Sequence, residues 1–441
     1  MLYYLIFLVA SVFIGTELLA VPTPFLQITL YRVLNLASIG LFVYQLWQDH
    51  SSLKWTYKGT ASFVIYSYLF WLLWAIVSVA WALDFKHWFQ NTFLLALGVI
   101  VILALFFWVH DLFTWRILIQ TTWVMIFLLA IWGMFELISN HYIFADMAKL
   151  DKYNTFASQP LTRIPITHFE NQNDYATMLL ASLPLGLILF NWSRSWWMKS
   201  YYVGSLLLIS YLIYRSGSRM SLLSLVVFFI VFILLQFDWD LDKKIFFKLL
   251  ISAAVIGIAV LAFIPPLRHK LFSLVYTGGN ALLTGDVVRL NLWRNGLHFL
   301  ATTLGLGVGA GNIEVWMKHF DLLPLNGITN MHNWWLEILV AYGISTFILY
   351  VLAYVMMVRK LWLSRRSLPA NLRLVNNSLI SFLVIYIAAS ITSANNMLIE
   401  WHWVFFGLII TYIKLIETTF PQHLTIEKIG LEDHYEYHHL I

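Results

Sequence analysis

Long apolar runs follow one another along most of this chain, and they restrict it to folds that live in a lipid bilayer. A bilayer-spanning helix needs about 20 mostly apolar residues. About twelve such runs are present, roughly at 2–21, 25–47, 62–83, 88–109, 112–138, 173–192, 196–214, 218–236, 244–264, 332–357, 374–395 and 398–417. Only 11% of the residues are charged, against about 25% in soluble domains. Because the runs are continuous rather than alternating, they predict helices and not barrel strands. We therefore predict an all-α integral membrane protein with about 12 transmembrane helices.

Two connections are longer and more polar than the others, and they divide the chain. The first is an outer loop at 139–172, within a segment of nine helices that covers 1–264. The second, at 265–331, is predicted to be a large extracytoplasmic loop with short interfacial helices. Helices 10–12 follow at 332–417, and 418–441 form a tail. Loops of this length usually carry function.

Lysine and arginine set the predicted orientation, because they are enriched in the short cytoplasmic loops of membrane proteins. One side carries Lys54, Lys58, Lys243 and Lys244, whereas the short loop at 21–24 on the opposite side has none. This predicts cytoplasmic termini, with both long loops outside. The N-terminal run lacks a positive start and a small-residue cleavage site, so we expect a retained span. The absence of cysteine excludes disulfides, thiolate metal sites and cysteine nucleophiles.

Two arginines break the orientation rule in "YRSGSRMSLLSL", residues 214–225. Arg215 and Arg219 flank a short outer turn in which Gly217 permits a tight bend and Ser218 is a suitable helix cap. An arginine in the first turn of a helix is unfavourable unless an anion binds there, since that end already carries partial positive charge. Arg219 therefore indicates an anion site. The alternative is a side chain that snorkels to lipid phosphates.

The stretch "TGDVVRLNLWRNGLHFLATTLGLGVGAGN", residues 284–312, predicts a short helix at the membrane surface. Asp286 is its expected cap, and Arg289, Trp293 and Leu297 follow at helical spacing. A plain surface ion pair of Asp286 with Arg289 is the alternative. The glycine run at 305–311 has no preceding strand, so we reject a nucleotide-binding loop and expect a turn or a close backbone approach.

A histidine stands at the mouth of the tenth predicted span, in "NMHNWWLEILVAYG" at 330–343. Asn330 and Asn333 are suitable caps, so the helix is expected to start here, with His332 at its beginning. A helix N-terminus and nearby arginines disfavour an imidazolium, and a neutral His332 is able to act as a general base. The alternative is a histidine bonded at the membrane interface. Glu337 lies inside the apolar part and needs a partner or a wet cavity.

The same question arises for three further carboxylates at outer helix ends, Glu17, Glu136 and Glu400. A separate acidic pattern, "DWDLDKK" at 238–244, resembles the aspartate pairs that hold a metal on a nucleotide sugar. It falls on the predicted cytoplasmic side without a soluble domain, so a solvated loop is the better interpretation. The histidines of the C-terminal tail match no zinc spacing. We therefore predict no metal and no cofactor.

Together, Arg219 in "SGSR", Arg289 in "RLNLW" before "LGLGVGAGN", and His332 in "HNWWLEILVAYG" resemble the O-antigen ligase and polymerase superfamily. "FENQNDYATMLLASLPL", residues 169–185, is similar to that family's asparagine-rich entry into a mid-chain span. Among its members, the chain looks most like the Gram-positive proteins of teichuronic acid and exopolysaccharide synthesis. The other branch of class C glycosyltransferases carries acidic motifs in a long first outer loop, and here that loop is only "VPTP".

The resemblance implies a class C glycosyltransferase fold in a bacterial plasma (inner) membrane, with the active site facing outside. Such enzymes transfer a glycan from a polyprenyl diphosphate carrier, with inversion and without a metal, to a growing glycan (polymerases) or to a lipid or cell-wall acceptor (ligases). By motif position, Arg219 and Arg289 match the arginines that grip the diphosphate, and His332 matches the essential histidine. Arg215, Arg268 and Arg294 have no firm motif position.

The predicted site therefore has His332 as the catalytic residue and Arg219, Arg289 and Arg215 as diphosphate ligands, with Asn333, Glu337 and Trp293 in support. The expected partners are the lipid-linked donor, a glycan or lipid acceptor and membrane lipids, with no nucleic acid, because no basic run is long enough. Two other classes stay open. One is a transporter or flippase of the lipid-linked unit, and the other is a cytoplasmic nucleotide-sugar enzyme built on Asp238, Asp240 and Asp242.

Overall fold

A computed structural model describes residues 1–23, 26–48, 57–151, 153–237, 285–391, 397 and 399–420. Within these ranges the regular structure is helical apart from one antiparallel pair of two-residue strands, β1 (Ala20–Val21) and β2 (Ile28–Thr29). The prediction of an all-α architecture is confirmed. The predicted span at 244–264, the aspartates of 238–244, Arg268 and the C-terminal tail lie outside the described residues.

The helices follow in chain order, with two turns of 3-10 helix at Ser78–Ala80 and Pro160–Thr162. They are α1 (Leu2–Ser11), α2 (Gly15–Leu18), α3 (Leu30–Gln48), α4 (Thr60–Val77), α5 (Phe85–Trp108), α6 (Leu112–Ser139), α7 (Met147–Leu150), α8 (Gln172–Trp192), α9 (Trp196–Arg215), α10 (Arg219–Gln236), α11 (Gly285–Thr302), α12 (Ile313–His319), α13 (Trp334–Ser364), α14 (Ala370–Ala389) and α15 (Trp401–Thr419).

In the described part of the chain, 7 helical segments are long and apolar enough to cross a membrane. They are α4 with its 3-10 extension, α5, α6, α8, α10, α13 and α14. This supports a multi-pass membrane protein. The figure of about 12 spans and the orientation of the termini stay predictions.

The first predicted span, 2–21, is wrong as a single helix. Helix α1 ends at Ser11, and the chain turns before α2 and then enters β1. The break coincides with Gly15, which has φ +76°, a conformation that side-chain-bearing residues rarely adopt. A Cβ on Gly15 would lie 2.3 Å from Cδ2 of His168, so the loop before α8 packs directly against the chain at this break.

Aromatic contacts join the helices around the outer half of α13, which packs on α4 and α14. The ring of Trp71 lies 5.7 Å from that of Trp334, 5.6 Å from Tyr350 and 5.9 Å from Trp403. The indole N–H of Trp334 also donates to the Tyr350 hydroxyl at 3.0 Å. In lipid, helices associate through close packing and such hydrogen bonds rather than through the hydrophobic effect. This cluster therefore holds the first turns of α13 against α4 and α15.

Helix α13 is interrupted at Gly343, where φ is +81° and ψ is 177°. In an unbroken helix the Ile344 N–H would donate to the Val340 carbonyl. Instead, the Ile344 N–H donates to the Gly305 carbonyl at 2.9 Å. The Val340 carbonyl accepts from the Val308 N–H, also at 2.9 Å. Irregular backbone at membrane depth is tolerated where protein groups satisfy it in this way. The glycine run at 305–311 thus supplies the close backbone approach that its sequence predicted.

We expect Gly343→Ala to destabilise the protein by about 1–3 kcal/mol, the usual scale for a strained backbone position. The added Cβ would lie 2.4 Å from the Leu306 carbonyl oxygen, and φ is positive. Thermal unfolding of the purified protein in detergent measures the effect. Gly204→Ala on α9 is the control, because its Cβ meets no heavy atom within 4 Å. An unchanged melting temperature in Gly343→Ala would contradict the structural role of the break.

Candidate functional site

His332 lies in the loop directly before α13, and not in the helix as the sequence analysis expected. The helix begins at Trp334 because Asn333 caps it, its side-chain oxygen accepting from the N–H of Trp335 at 3.1 Å and of Leu336 at 3.3 Å. The predicted cap at Asn333 is confirmed. The Asn330 side chain accepts from the His332 N–H at 2.9 Å, and His332 has φ +48°. Left-handed conformations are uncommon outside glycine and occur preferentially at functional sites.

Helix α11 holds this loop in place. The indole N–H of Trp293 donates to the Met331 carbonyl at 3.1 Å, which fixes the residue next to His332. A Cβ on Gly296 would lie 2.9 Å from the Met331 sulfur, so the helix and the loop are in close contact. The helix predicted in this segment is therefore present, as α11. It starts at Gly285, so Asp286 falls within the helix and not at its cap.

A cavity of about 710 Å³ opens beside the His332 loop. Its walls come from the segment around Gly15, the start of α5, the residues leading into α8, the start of α12, the first turns of α13 and the start of α15. Among the predicted site residues, Glu337 lines it. Asn330, Met331 and Trp334 line it as well, and they bracket His332 in sequence. In the described part of the chain, His332 and the predicted arginines are not part of its lining.

The arginines occupy separate positions. Arg219 is exposed at the first residue of α10, after a turn in which Gly217 has φ +72°, as its sequence predicted. Arg289 is partly buried on α11, one turn before Trp293. The structure joins Trp293 to the His332 loop by a direct hydrogen bond, and no direct bond joins either arginine to that loop within the described residues.

Arg215 has a structural task that the sequence did not reveal. Its guanidinium donates to the Pro160 carbonyl at 2.9 Å and the Arg163 carbonyl at 3.1 Å, and also to the Tyr211 hydroxyl at 2.8 Å. These bonds tie the end of α9 to the outer loop that precedes α8. The role of Arg215 in diphosphate binding stays a prediction beside this observed one.

Glu136 fastens the same outer loop from α6. Its carboxylate accepts from the backbone N–H of Ile166 at 2.8 Å and of Thr167 at 2.9 Å, and the residue is fully buried. Arg163 connects the same two segments a second time, because its guanidinium donates to the carbonyls of Leu137 and Ile138, at the end of α6, at 3.0 Å each. The sequence marked Glu136 as a carboxylate in need of a partner. The structure shows that this partner is the backbone of the loop, at Ile166 and Thr167.

Glu400 has an ionic partner in the cavity wall. The Arg32 guanidinium lies 2.5 Å from its carboxylate, and both side chains are largely buried. Both residues line the cavity. Glu400 was predicted to need a partner, but Arg32 could not be predicted as that partner, because the two residues lie far apart in the chain, at the start of α15 and on α3. Glu17 is the third carboxylate that was predicted to need a partner, and its side chain lies outside the described residues.

His168 also lines the cavity, although it was not among the predicted site residues. Its ring stacks on Phe169 with centroids 4.4 Å apart. Burial lowers the pKa of His168 to about 4, so the imidazole is neutral at physiological pH. Asp84 caps α5. Its carboxylate accepts a hydrogen bond from the backbone N–H of His87, and this bond lowers the pKa of Asp84. Within the described ranges, no group of three or more histidine and acidic side chains is arranged to hold a metal ion.

These features define a multi-pass helical membrane protein with a polar cavity beside a histidine held in a strained loop. Residues 204–351 match the family model described as O-antigen ligase. The matched region runs from α9 into α13 and contains every predicted site residue. The chain is also 25% identical over 417 residues to the teichuronic acid biosynthesis protein TuaE of Bacillus subtilis (strain 168), which covers 93% of this chain and 83% of that relative. These matches confirm the resemblance to the O-antigen ligase and polymerase superfamily.

The lowered pKa of His168 predicts a pH-dependent loss of stability. A histidine in the unfolded chain takes up a proton near pH 6.5, whereas His168 in the folded protein does so near pH 4. The contribution of neutral His168 to the free energy of unfolding is thus fully present above about pH 6.5 and is lost as the pH falls towards about 4. In His168→Gln, the melting temperature should fall less between pH 7 and pH 4.5 than in the unaltered protein.

His319→Gln is the control for this comparison, because it removes an exposed surface histidine. It should keep the pH dependence of the unaltered protein. If His168→Gln and the unaltered protein lost the same number of degrees over this pH range, His168 would not be the group responsible.

Proposed function

We propose that this protein is a membrane glycosyltransferase of polysaccharide biosynthesis. Its donor would be a glycan on a polyprenyl diphosphate carrier at the outer leaflet, and its acceptor a growing surface polysaccharide. The observation that carries the proposal is His332, held at φ +48° between two asparagine-made turns beside the cavity. It lies within the region that matches the O-antigen ligase model. The teichuronic acid name of the relative favours the same general role.

In the proposed reaction, an acceptor hydroxyl attacks the anomeric carbon of the donor sugar. The new glycosidic bond forms on the face opposite the diphosphate, the old sugar–phosphate bond breaks, and the carrier leaves as its diphosphate. The hydroxyl proton passes to the imidazole of His332, which is a suitable general base when neutral. The bonds of Asn330, Trp293 and Asn333 would hold that loop ready for the transfer.

Arg219 and Arg289 would stabilise the charge that grows on the leaving diphosphate. Guanidinium groups are suited to this role because they stay charged and form paired hydrogen bonds to phosphate oxygens. In a site near lipid, positioned charges are worth more than in water. The diphosphate is already a good leaving group, so charge neutralisation suffices and no acid is required.

We expect Arg219→Ala, Arg289→Ala and His332→Ala each to lower transfer by about 100-fold or more, the scale for removing one electrostatic or proton-transfer group. Polymer length and amount, measured on gels of extracted polysaccharide, check this. Arg294→Ala is the matched control, because Arg294 is exposed on the same helix as Arg289. Near-normal polymer in Arg219→Ala or Arg289→Ala would exclude the diphosphate role for that residue.

Carrier binding separates two roles of His332. A base that acts only in the transfer step leaves donor binding intact when it is replaced by alanine. Loss of donor binding in His332→Ala would instead make His332 a clamp for substrate.

A ligase that passes finished glycan to a lipid or wall acceptor is the second candidate, and the description of the matching family model favours it. Both reactions use the same donor chemistry. Deleting a polymerase leaves single repeat units on the carrier, whereas deleting a ligase leaves full-length chains on it. We expect single units, and a ladder of carrier-linked chains would establish the ligase.

A flippase would move the lipid-linked unit without making a bond. Purified protein in detergent, supplied with donor and acceptor, separates the two classes, since transport has no meaning there. Formation of a glycosidic bond would exclude a pure flippase, and its absence in a preparation that still binds the donor would contradict the proposed transferase.

A further inference from the structure

Helix α11 runs beside the first turns of α13 and in the same direction. Midway along α11, the Trp293 indole donates to the Met331 carbonyl, just before α13 begins. Beyond the end of α11, the Gly305 carbonyl accepts from the N–H of Ile344, which follows the break in α13. Because α13 is long and apolar enough to cross a membrane, a helix that accompanies it leads into the membrane. A helix at the membrane surface, as the sequence predicted, would not follow α13 in this way.

The far end of α13 shows how deep this course reaches. Arg359 is exposed near that end, and a charged side chain of a spanning helix lies at or near a boundary of the hydrocarbon layer. Ile344 precedes it by about 15 residues, which is about 23 Å of helix, whereas the hydrocarbon layer is about 30 Å thick. Ile344, and with it the end of α11, therefore lies inside that layer.

After α11 the chain turns and goes back along α4. The Leu306 carbonyl accepts from the indole N–H of Trp74, within α4, at 3.4 Å. Further along, the Asn312 side chain accepts from the N–H of Asp84, which caps α5 beyond the end of α4. The aromatic cluster places the end of α4 beside the start of α13. The segment therefore leaves on the side from which it entered.

The turn between these two paths is irregular, but its backbone is bonded within the protein. The N–H groups of 303–306 donate to carbonyls of α11 or of the turn itself, and those of 308–310 donate to α13 and to the 3-10 turn after α4. In water, solvent would supply such partners. At membrane depth it does not, and irregular backbone is tolerated there only where protein groups satisfy it. The bonding of this turn therefore fits a position inside the membrane.

Leu304 in this turn has φ +52°, a left-handed conformation that usually belongs to glycine. Its N–H donates to the Ala301 carbonyl at 3.0 Å, and the next N–H, of Gly305, donates to the Leu300 carbonyl at 2.9 Å. These bonds form the Schellman motif that ends α11, in which glycine is preferred at the position of Leu304 because a Cβ is crowded there. Leu304 is 90% exposed, so the leucine brings strain with few contacts inside the protein. Its favourable contacts therefore lie with the surroundings.

The helix beside Leu304 exposes apolar side chains to the membrane. A Cβ on Gly305 would lie 2.8 Å from Cδ1 of Ile344, which starts an exposed apolar stripe on α13. The stripe consists of Ile344, Ile348, Leu352 and Val355, each about half exposed. Lipid tails are as apolar as these side chains and cover them on a spanning helix. Leu304 extends the stripe, so the same lipid tails reach it.

We propose that residues 285–312 form a re-entrant segment, which enters the membrane beside α13 and turns back within it, and that Leu304 anchors the turn among the acyl chains of the surrounding phospholipids. The occupant of this surface is bilayer hydrocarbon, because Leu304 continues the lipid-facing stripe of a spanning helix. The inference goes beyond the proposed function, since it holds whether or not the protein transfers a glycan.

The buried face of α11 holds the chain that leads to His332. The Asn295 side chain accepts from the two backbone N–H groups at 322–323, at 3.1 Å each, and it is almost fully buried. Together with the bond from Trp293, it ties this chain to the same helix that Leu304 anchors. The lipid contact therefore sets the depth at which the His332 loop is held.

Depth measurements on the full-length protein test the re-entrant segment. The chain contains no cysteine, so one cysteine at a time can carry a nitroxide label. The variants are Arg294→Cys, His298→Cys, Ala301→Cys and Leu304→Cys, all at exposed positions. In phosphatidylethanolamine and phosphatidylglycerol vesicles, the depth of the label follows from its collisions with oxygen, which is enriched in hydrocarbon, and with a water-soluble nickel chelate. The measurement needs no donor and no turnover.

We expect the label to lie deeper at each successive position, with Leu304→Cys about 10 Å deeper than Arg294→Cys, because about eight residues of helix rise about 12 Å. Ile348→Cys is the reference inside the membrane, and Tyr153→Cys, 86% exposed in the loop before α8, is the reference in water. Equal depths along the series would overturn the re-entrant segment. A label at Leu304 that the nickel chelate reaches as easily as one at Tyr153, or that neither reagent reaches because a second chain covers it, would overturn the lipid contact.

The variant Leu304→Asn tests the leucine itself. Asparagine tolerates the left-handed backbone but is polar, so the end of α11 loses its anchor without losing its geometry. A label at Ala301 should then move about 3 Å or more towards water, which is about two residues of helix rise. Leu161→Asn is the control, because this leucine is 84% exposed in the loop before α8, and it should leave the depth unchanged. The same depth at Ala301 in Leu304→Asn and in the unaltered protein would show that Leu304 is not the anchor.

Discussion

The exchange of backbone hydrogen bonds at Gly343 is the constraint on which the rest of the site depends. A helix that breaks at membrane depth leaves polar backbone groups that lipid cannot satisfy. Here the chain at 305–309 enters the break, where Val308 and Gly309 donate to the carbonyls of Val340 and Ala341. The N-terminal segment of α13, from Trp334 to Tyr342, is thereby a separate short helix that a kink at Gly343 divides from the rest. It carries Glu337 into the cavity and the His332 loop at its capped end.

The inserted glycine segment also reaches the helices on its other side. The Trp81 indole donates to the Gly307 carbonyl at 2.9 Å, and the Ser78 hydroxyl accepts from the Ala310 N–H at 3.1 Å. Asn312 and Asp84 exchange hydrogen bonds at the start of α5, with the Asp84 N–H 2.8 Å from the amide oxygen. The glycines are needed because backbone, and not side chain, is what fits there. A Cβ on Gly311 would lie 2.3 Å from the His87 carbonyl.

Sequence patterns predicted the features that are local along the chain. Apolar runs predicted helices such as α6 and α8 within a residue or so, because lipid exposure leaves the chain no other regular structure. Asn333 was recognisable as a cap, and the glycine run as a place of close approach. The break in the first span was not recognisable, because the contact of Gly15 with His168 joins residues that are far apart in the sequence. Apolar composition alone does not show which segment will be displaced by another.

The sequence also could not predict which side chains pair when they lie far apart along the chain. Arg32 finds Glu400, and Arg215 finds the carbonyls of Pro160 and Arg163, only once the outer loops have folded over the helix ends. A membrane protein has few charged residues, so each one that approaches the apolar region must be matched, but the sequence does not say by what. For Arg215, the observed partners are two backbone carbonyls and the Tyr211 hydroxyl, and its role in diphosphate binding stays a prediction.

Arg219 and Arg289 lie apart from the cavity beside the His332 loop. A transferase for a diphosphate-linked glycan must hold two chemically opposite parts of one substrate, an anionic leaving group and a hydroxyl-rich sugar. Here the exposed Arg219 and the partly buried Arg289 lie outside a wall of carboxylates and aromatic rings. His332 lies next to that wall, and the hydrogen bond from Trp293 to the Met331 carbonyl connects its loop to the helix of Arg289.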